Sequence, residues 1–133
     1  MMKIYMLAIA LFFLASCKDT VTNNGNNGNT IVFPDSNVSF RKHVLPLFHQ
    51  RCNKNGCHNQ RYPDRDFDLA TYGGFMIAPR VIVYEGSPDN SPLILSVEGT
   101  NPTSSRMPLN KPPLTNNQIR GLRIWIFEGA LNN

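Results

Sequence analysis

Two cysteines and a histidine in the stretch RCNKNGCH are the residues of this chain best suited to chemistry. Cys52 and Cys57 are separated by four residues, and His58 directly follows the second cysteine. Two thiols beside one imidazole can attach a haem covalently, form a disulfide, or contribute ligands to a metal ion. The rest of the sequence has to discriminate between these three chemistries.

Covalent haem attachment requires two thiols that reach two vinyl groups on one edge of the macrocycle, and an imidazole beneath the iron. A histidine directly after a cysteine meets the second requirement, because the thioether holds the chain close to the metal. The common motif is C-x-x-C-H, whereas the spacer here is NKNG. The longer spacer is compatible with attachment if it bulges outwards, and Gly56 can adopt the positive φ that a bulge needs.

A haem iron with one histidine ligand that transfers electrons takes a sixth ligand, commonly methionine. Met107 lies in the segment SRMPLNKPP, whose prolines stiffen the backbone around it. Met76 follows two glycines and is better suited to filling the core. The sequence therefore favours Met107 over Met76, with His43 and His49 as a bis-histidine alternative.

The two other chemistries explain less of the sequence. A Cys52–Cys57 disulfide would close a short loop with a small entropic gain, and it accounts for neither His58 nor the segment around Met107. A zinc knuckle needs a fourth ligand, and the chain has no second Cys/His pair. No acid/base pair, Ser-His-Asp arrangement or phosphate-binding loop is evident, so we predict that the protein is not an enzyme.

The N-terminus, MMKIYMLAIALFFLASC, predicts export. Lys3 precedes an apolar run that is shorter than the ~20 residues of a membrane span and is typical of a secretory signal. The sequence LASC resembles a bacterial lipobox, which predicts cleavage after residue 16 and lipidation of Cys17. The alternative is an ordinary signal peptide that leaves Cys17 as a spare thiol.

Export constrains the two remaining cysteines. Lipidation of Cys17 leaves Cys52 and Cys57 as an even pair in an oxidising compartment, where free thiols do not persist. We expect an exported protein, lipid-anchored to a bacterial membrane and facing the periplasm or the cell surface. Its cysteine pair is then either oxidised or bonded to a cofactor.

Composition predicts one small domain behind a tether. The chain has 133 residues, of which 41% are hydrophobic and 17% charged. We expect a signal peptide at residues 1–16, the lipidated cysteine and an Asn/Gly-rich flexible tether at 17–36, and a folded domain at 37–133. The formal charge of +4 comes from scattered basic residues, which argues against nucleic-acid binding and suits docking to an acidic protein.

Apolar spacing predicts an all-α domain with long loops. Residues 40–48 have helical spacing with Ser39 as N-cap and Pro46 dividing the helix, and SPLILSVEG predicts a second helix. The C-terminal helix opens with a capping box at Thr115 and Gln118. Gly121 within it indicates close approach of another helix, for which residues 40–48 are the candidate. So few short helices imply an underfilled core that a buried macrocycle would complete.

Several segments together resemble one family, the cytochrome c-like domains common in exported proteins of planctomycetes and Bacteroidetes. The resemblance implies a small cytochrome c fold of three to four helices around one covalent haem c, with Cys52 and Cys57 as thioether cysteines. It implies His58 as the proximal iron ligand and Met107 as the distal one. The segments that carry it are FRKHVLPLFHQRCNKNGCH, FDLATYGG, EGSPDNSPLI, RMPLNKPPLT and IRGLRIWIFEGA. For the haem propionates, the candidate partners are Arg65, Tyr72, Arg106 and Trp125.

The expected function is one-electron transfer between redox partner proteins, with no small-molecule substrate. One alternative is a haem protein whose distal site is open or whose Met107 is easily displaced, acting as a sensor or catalytic subunit. Another is a non-haem structural lipoprotein with a Cys52–Cys57 disulfide.

Overall fold

The computed structural model describes residues 31–53, 57–58, 68–77 and 81–133, and within these ranges the chain forms helices and no strands. This agrees with the predicted all-α class. None of the helices in the described part is long and apolar enough to cross a membrane. In chain order the elements are a π-helical segment at Phe40–Val44, α1 at Leu45–Arg51, α2 at Tyr72–Met76, a 3-10 turn at Pro88–Asn90, α3 at Pro92–Glu98 and α4 at Asn116–Phe127.

The first helical region changes its winding at the predicted position. The hydroxyl of Ser39 accepts a hydrogen bond from the N–H of Lys42 at 3.2 Å, so this residue is the N-cap. The wide π-helical turns end at Val44, and regular α-helix begins at Leu45 with Pro46 in its first turn. Proline lacks the N–H that would continue the earlier hydrogen-bond pattern. The predicted division of this helix is therefore confirmed.

A capping box fixes the start of α4, whereas the serine at the start of α3 has a different role. Thr115 and Gln118 form both hydrogen bonds of a capping box, at 3.0 and 3.2 Å, as predicted. Ser91 occupies the N-cap position of α3, but its hydroxyl donates to the carbonyl oxygen of Ser87 and accepts from the N–H of Tyr84, each at 2.9 Å. Ser91 therefore holds the preceding turn in place rather than capping the helix.

An aromatic cluster joins α1, α2 and α4. The ring of Phe40 lies 5.2 to 5.6 Å from those of Tyr72, Phe75 and Trp125, and Phe48 contacts Phe75 edge-on with centroids 4.8 Å apart. Such edge-to-face pairs add to the stabilisation that burial provides. The chain's own side chains thus fill this part of the domain, and the expectation of an underfilled core is wrong here. The buried apolar side chains also include Val44, Leu47, Ile82, Val83, Leu93, Ile94, Val97, Leu114, Leu122 and Ile126.

Gly121 in α4 is required because Phe33, which precedes the predicted domain, packs directly against it. A Cβ on Gly121 would lie 2.1 Å from the ring of Phe33, so the predicted partner, residues 40–48, is wrong for this contact. Phe33 is buried, and its backbone makes two hydrogen bonds with the Asn117 side chain at 2.8 and 3.0 Å. Phe33, which was assigned to the tether from sequence, therefore packs on α4, and the Gln118 side chain donates to the carbonyl oxygen of Ile31 at 3.4 Å. Contacts with α4 thus begin before residue 37.

Candidate functional site

The cysteine motif begins where α1 ends. The N–H of Cys52 donates to the carbonyl oxygen of Phe48 at 2.8 Å, and the N–H of His58 returns to the carbonyl oxygen of Cys52 at 3.1 Å. The cysteine loop, residues 52–58, is therefore closed by a backbone hydrogen bond. The carbonyl oxygen of His58 in turn accepts from the N–H of Leu69 at 3.1 Å. Gly56, which was expected to shape the bulge, lies outside the described residues.

The two sulfurs differ in environment, and neither is in a disulfide. Cys52 is buried with 7% of its surface exposed, whereas Cys57 is half-buried. Burial raises the pKa of Cys52 from 9.0 to about 12, although the nearby charges of Arg51 and Lys111 oppose the rise. The Cys52 sulfur is therefore uncharged and apolar in character. That environment suits a thioether to an apolar ring, and it fits the predicted haem attachment.

Arg51 connects the cysteine loop to the predicted distal ligand segment. Its Nη2 donates to the carbonyl oxygen of Pro112 at 2.6 Å. Its Nε is buried and has no hydrogen-bond partner among the described residues. We call residues 106–114 the Met107 loop, and this bond holds its far end against the C-terminus of α1. Sequence reasoning missed Arg51, because its position beside Cys52 says nothing about a partner 61 residues away.

Met107 itself is half-buried and anchored through its backbone. Its N–H donates to the carbonyl oxygen of Ser96 in the last turn of α3 at 2.9 Å, and its peptide bond to Pro108 is cis. Met76, the competing methionine, packs against the hydrophobic core, as expected for a space-filling side chain. The structure thus holds the Met107 backbone in one place, which a weakly binding thioether ligand needs.

The two other histidines have structural contacts. Nδ1 of His43 accepts a hydrogen bond from the N–H of Ser39 at 3.0 Å, and its ring lies 5.8 Å from that of Phe33. Burial lowers the pKa of His43, so the neutral ring that accepts this bond is favoured. Nε2 of His49 lies 3.3 Å from the carbonyl oxygen of Ala70. These contacts give the bis-histidine alternative no support.

Two of the expected propionate partners are used elsewhere. The hydroxyl of Tyr72 donates to the carbonyl oxygen of Ala130 at 2.8 Å, and Nε1 of Trp125 donates to that of Leu131 at 3.0 Å. Each is thus committed to the C-terminal backbone, and that expectation is wrong for both. Arg65 lies outside the described residues, as do Cys17 and the predicted signal peptide at residues 1–16. Arg106 is exposed and has no ion-pair partner in the described part of the chain.

The structure brings the C-terminal end of α1 and Cys52 close to residues 111 and 112 of the Met107 loop. Lys111 lies near enough to Cys52 to affect its pKa, and Arg51 bonds to Pro112. A buried, uncharged Cys52 sulfur and an anchored Met107 backbone would suit a covalently attached haem. Within the described ranges, no group of three or more His, Cys, Asp or Glu side chains is arranged to hold a metal ion.

Comparisons of the chain with protein-family models, with curated proteins and with solved structures find no match. Any function proposed for the protein therefore depends on its own residues and contacts.

Proposed function

We propose that the protein is an exported, lipid-anchored monohaem c-type cytochrome that carries single electrons between redox partner proteins. The observation that supports this most is the Arg51–Pro112 hydrogen bond at 2.6 Å, which joins the residue directly before the cysteine loop to the Met107 loop. A His/Met cytochrome needs its attachment motif and its distal ligand loop, which are far apart in sequence, to meet around one ring.

Each candidate residue then has a separate role. Cys52 and Cys57 would hold the haem by thioether bonds, with His58 as proximal and Met107 as distal iron ligand. The haem supplies a one-electron redox centre, and the protein contributes binding, orientation and a dry environment. The burial of Cys52 keeps water from one edge of the site, and the bond from Met107 to Ser96 fixes the backbone that carries the distal sulfur.

The proposal is tested by producing the protein together with the c-type maturation machinery and measuring its intact mass and visible spectrum. We expect a mass increase of one haem and a c-type spectrum. A mass equal to that of the polypeptide, with no haem absorption, would overturn the proposal. A covalent haem whose reduced iron binds carbon monoxide rapidly would instead indicate the alternative with an open distal site.

Matched variants assign the ligands. His58→Ala should abolish the low-spin spectrum, whereas His49→Ala, which removes the histidine in α1 before the cysteine loop, should leave it intact. Met107→Leu should remove the charge-transfer band of methionine-ligated ferric haem and admit carbon monoxide, whereas Met76→Leu should do neither. If Met76→Leu removes the band, Met107 is not the distal ligand.

A further inference from the structure

The C-terminal end of α3 packs against Arg106, the residue that precedes Met107. Gly99 ends the helix with a left-handed φ of 80°. A Cβ at this position would lie 2.8 Å from Cδ, 3.1 Å from Cγ and 3.2 Å from Cβ of Arg106. The aliphatic stem of Arg106 therefore lies directly across the backbone of Gly99, in space that any other residue would fill.

The next residue is attached to the same turn. The N–H of Met107 donates to the carbonyl oxygen of Ser96, and the side chain of Asn101 donates to Oγ of Ser96 at 3.0 Å. The N–H groups of Thr100 and Asn101 both return to the carbonyl oxygen of Leu95, at 2.9 and 3.1 Å. The Thr100 and Asn101 bonds close the end of α3, and this end holds the start of the Met107 loop through the Arg106 packing and the Met107–Ser96 hydrogen bond.

We propose that Gly99 is a positioning residue for Met107. Because Gly99 has no side chain, the aliphatic stem of Arg106 can pack on the end of α3. This packing sets the position from which the Met107 N–H donates to the carbonyl oxygen of Ser96. The inference extends the proposed function, since the position of Met107 matters for electron transfer only if its sulfur binds iron. The packing of Arg106 on Gly99 is itself independent of haem.

Such packing next to Met107 is needed because a methionine sulfur is a weak iron ligand. A methionine sulfur carries no charge, so its bond to iron persists only when the backbone keeps the sulfur within reach. The contacts at Gly99 and Ser96 involve residues 106 and 107, directly at the ligand, whereas the Arg51 contact acts at residue 112. A Cβ at position 99 would push the Arg106 stem away and displace the adjoining Met107 backbone.

The test compares Gly99→Ala with Gly86→Ala. Gly86 also has a positive φ, of 71°, but a Cβ there would meet nothing within 4 Å. Both variants carry the strain of a left-handed alanine, and only the first disturbs Arg106. We expect the Met107 amide to exchange its hydrogen about tenfold faster in Gly99→Ala than in Gly86→Ala. In the haem-loaded protein, only Gly99→Ala should weaken the methionine charge-transfer band and speed carbon monoxide binding.

A second pair of variants keeps the test decisive if Gly99→Ala does not fold. Arg106→Lys keeps an aliphatic stem and the positive charge, and should preserve both the slow exchange and the charge-transfer band. Arg106→Ala removes the stem and should lose both. Equal behaviour of the two glycine variants, or of the two arginine variants, would overturn the inference. A wild-type protein without haem would overturn the proposed function, whereas the amide-exchange comparison would still decide the role of Gly99.

Discussion

Arg51 donates a hydrogen bond to the carbonyl oxygen of Pro112, and this contact joins the residue before Cys52 to the loop after Met107. One guanidinium therefore links the two parts of the chain that a His/Met haem site requires. The same residue has a buried Nε with no hydrogen-bond partner among the described residues, and the cost of that unpaired donor offsets part of the stabilisation from the Pro112 bond. Arg51 is thus a structural link between the predicted proximal and distal sides.

Replacing Arg51 by methionine should loosen the Met107 loop while keeping the apolar stem. Hydrogen bonds from charged donors contribute about 1.5–3 kcal/mol, and the partial exposure of Arg51 places the expected loss at the lower end of that range. Chemical denaturation measures the free energy of unfolding, and amide exchange at Lys111 reports the loop. Arg41→Met removes an exposed arginine from the same helical region as a control. Equal losses in the two variants would show that the Pro112 bond contributes nothing specific.

The haem-free protein should lose stability at high pH through Cys52. Burial raises the folded-state pKa to about 12, whereas the unfolded value is near 9.0. The stabilisation is complete below pH 9 and is lost as the pH rises towards 12, because the unfolded thiol ionises first. This separation corresponds to at most roughly 4 kcal/mol.

The measurement for Cys52 is the free energy of unfolding between pH 8 and pH 12, with Cys17→Ser as the background. Cys52→Val should flatten the alkaline decline relative to that background, while the other groups that titrate in this range, including Tyr72, stay the same in both proteins. Haem attachment converts the thiol to a thioether, so the haem-loaded protein should also lack the Cys52 contribution. Parallel pH profiles for the two haem-free proteins would contradict the assignment of the raised pKa to Cys52.

Adding a methyl group at Gly121 should detach the segment that contains Phe33. Overpacking a filled site costs about 1–3 kcal/mol, and the added Cβ would lie within 2.3 Å of three Phe33 atoms. Gly73→Ala is the control, because its Cβ would meet nothing closer than 4.0 Å. Thermal unfolding should show a clear loss for Gly121→Ala only, and amide exchange at Phe33 should accelerate in the same variant. An unchanged Phe33 amide would mean that α4 moves instead.

Loss of the capping hydroxyl at the start of α4 should cost about 1 kcal/mol. Thr115→Ala removes the acceptor for the Gln118 N–H, whereas Thr115→Ser retains it. Gln118 is fully buried, so its side chain should keep its bond to the Thr115 N–H in both variants. Comparing the free energies of unfolding of the two variants separates the contribution of the hydroxyl from that of the methyl group. Equal stabilities would show that the cap contributes little.

How much of the structure could be predicted from the sequence depends on how far apart in the chain the interacting residues lie. The N-cap at Ser39, the division at Pro46 and the capping box at Thr115 each involve residues within a few positions of one another. Such signals depend on backbone groups that a local side chain satisfies or removes. They were predicted correctly, because no distant residue had to be known.

Long-range contacts were predicted less well. The glycine in α4 was correctly expected to admit a close neighbour, but the neighbour is Phe33, 88 positions away in the chain, rather than the first helix. Tyr72 and Trp125 were assigned to a cofactor, whereas the C-terminal carbonyl groups take their hydrogen bonds. A side chain's type shows what it can bind, but only packing decides which partner reaches it.

By itself, then, the sequence determined the chemistry on offer: two thiols beside an imidazole, a methionine among prolines, and helices with defined ends. The tertiary structure alone decided that Arg51 reaches Pro112, that Phe33 fills the space over Gly121, and that Arg106 lies on Gly99. The physical reason is that local hydrogen bonds are set by neighbouring residues, whereas contacts between distant segments depend on how the whole chain buries its apolar surface.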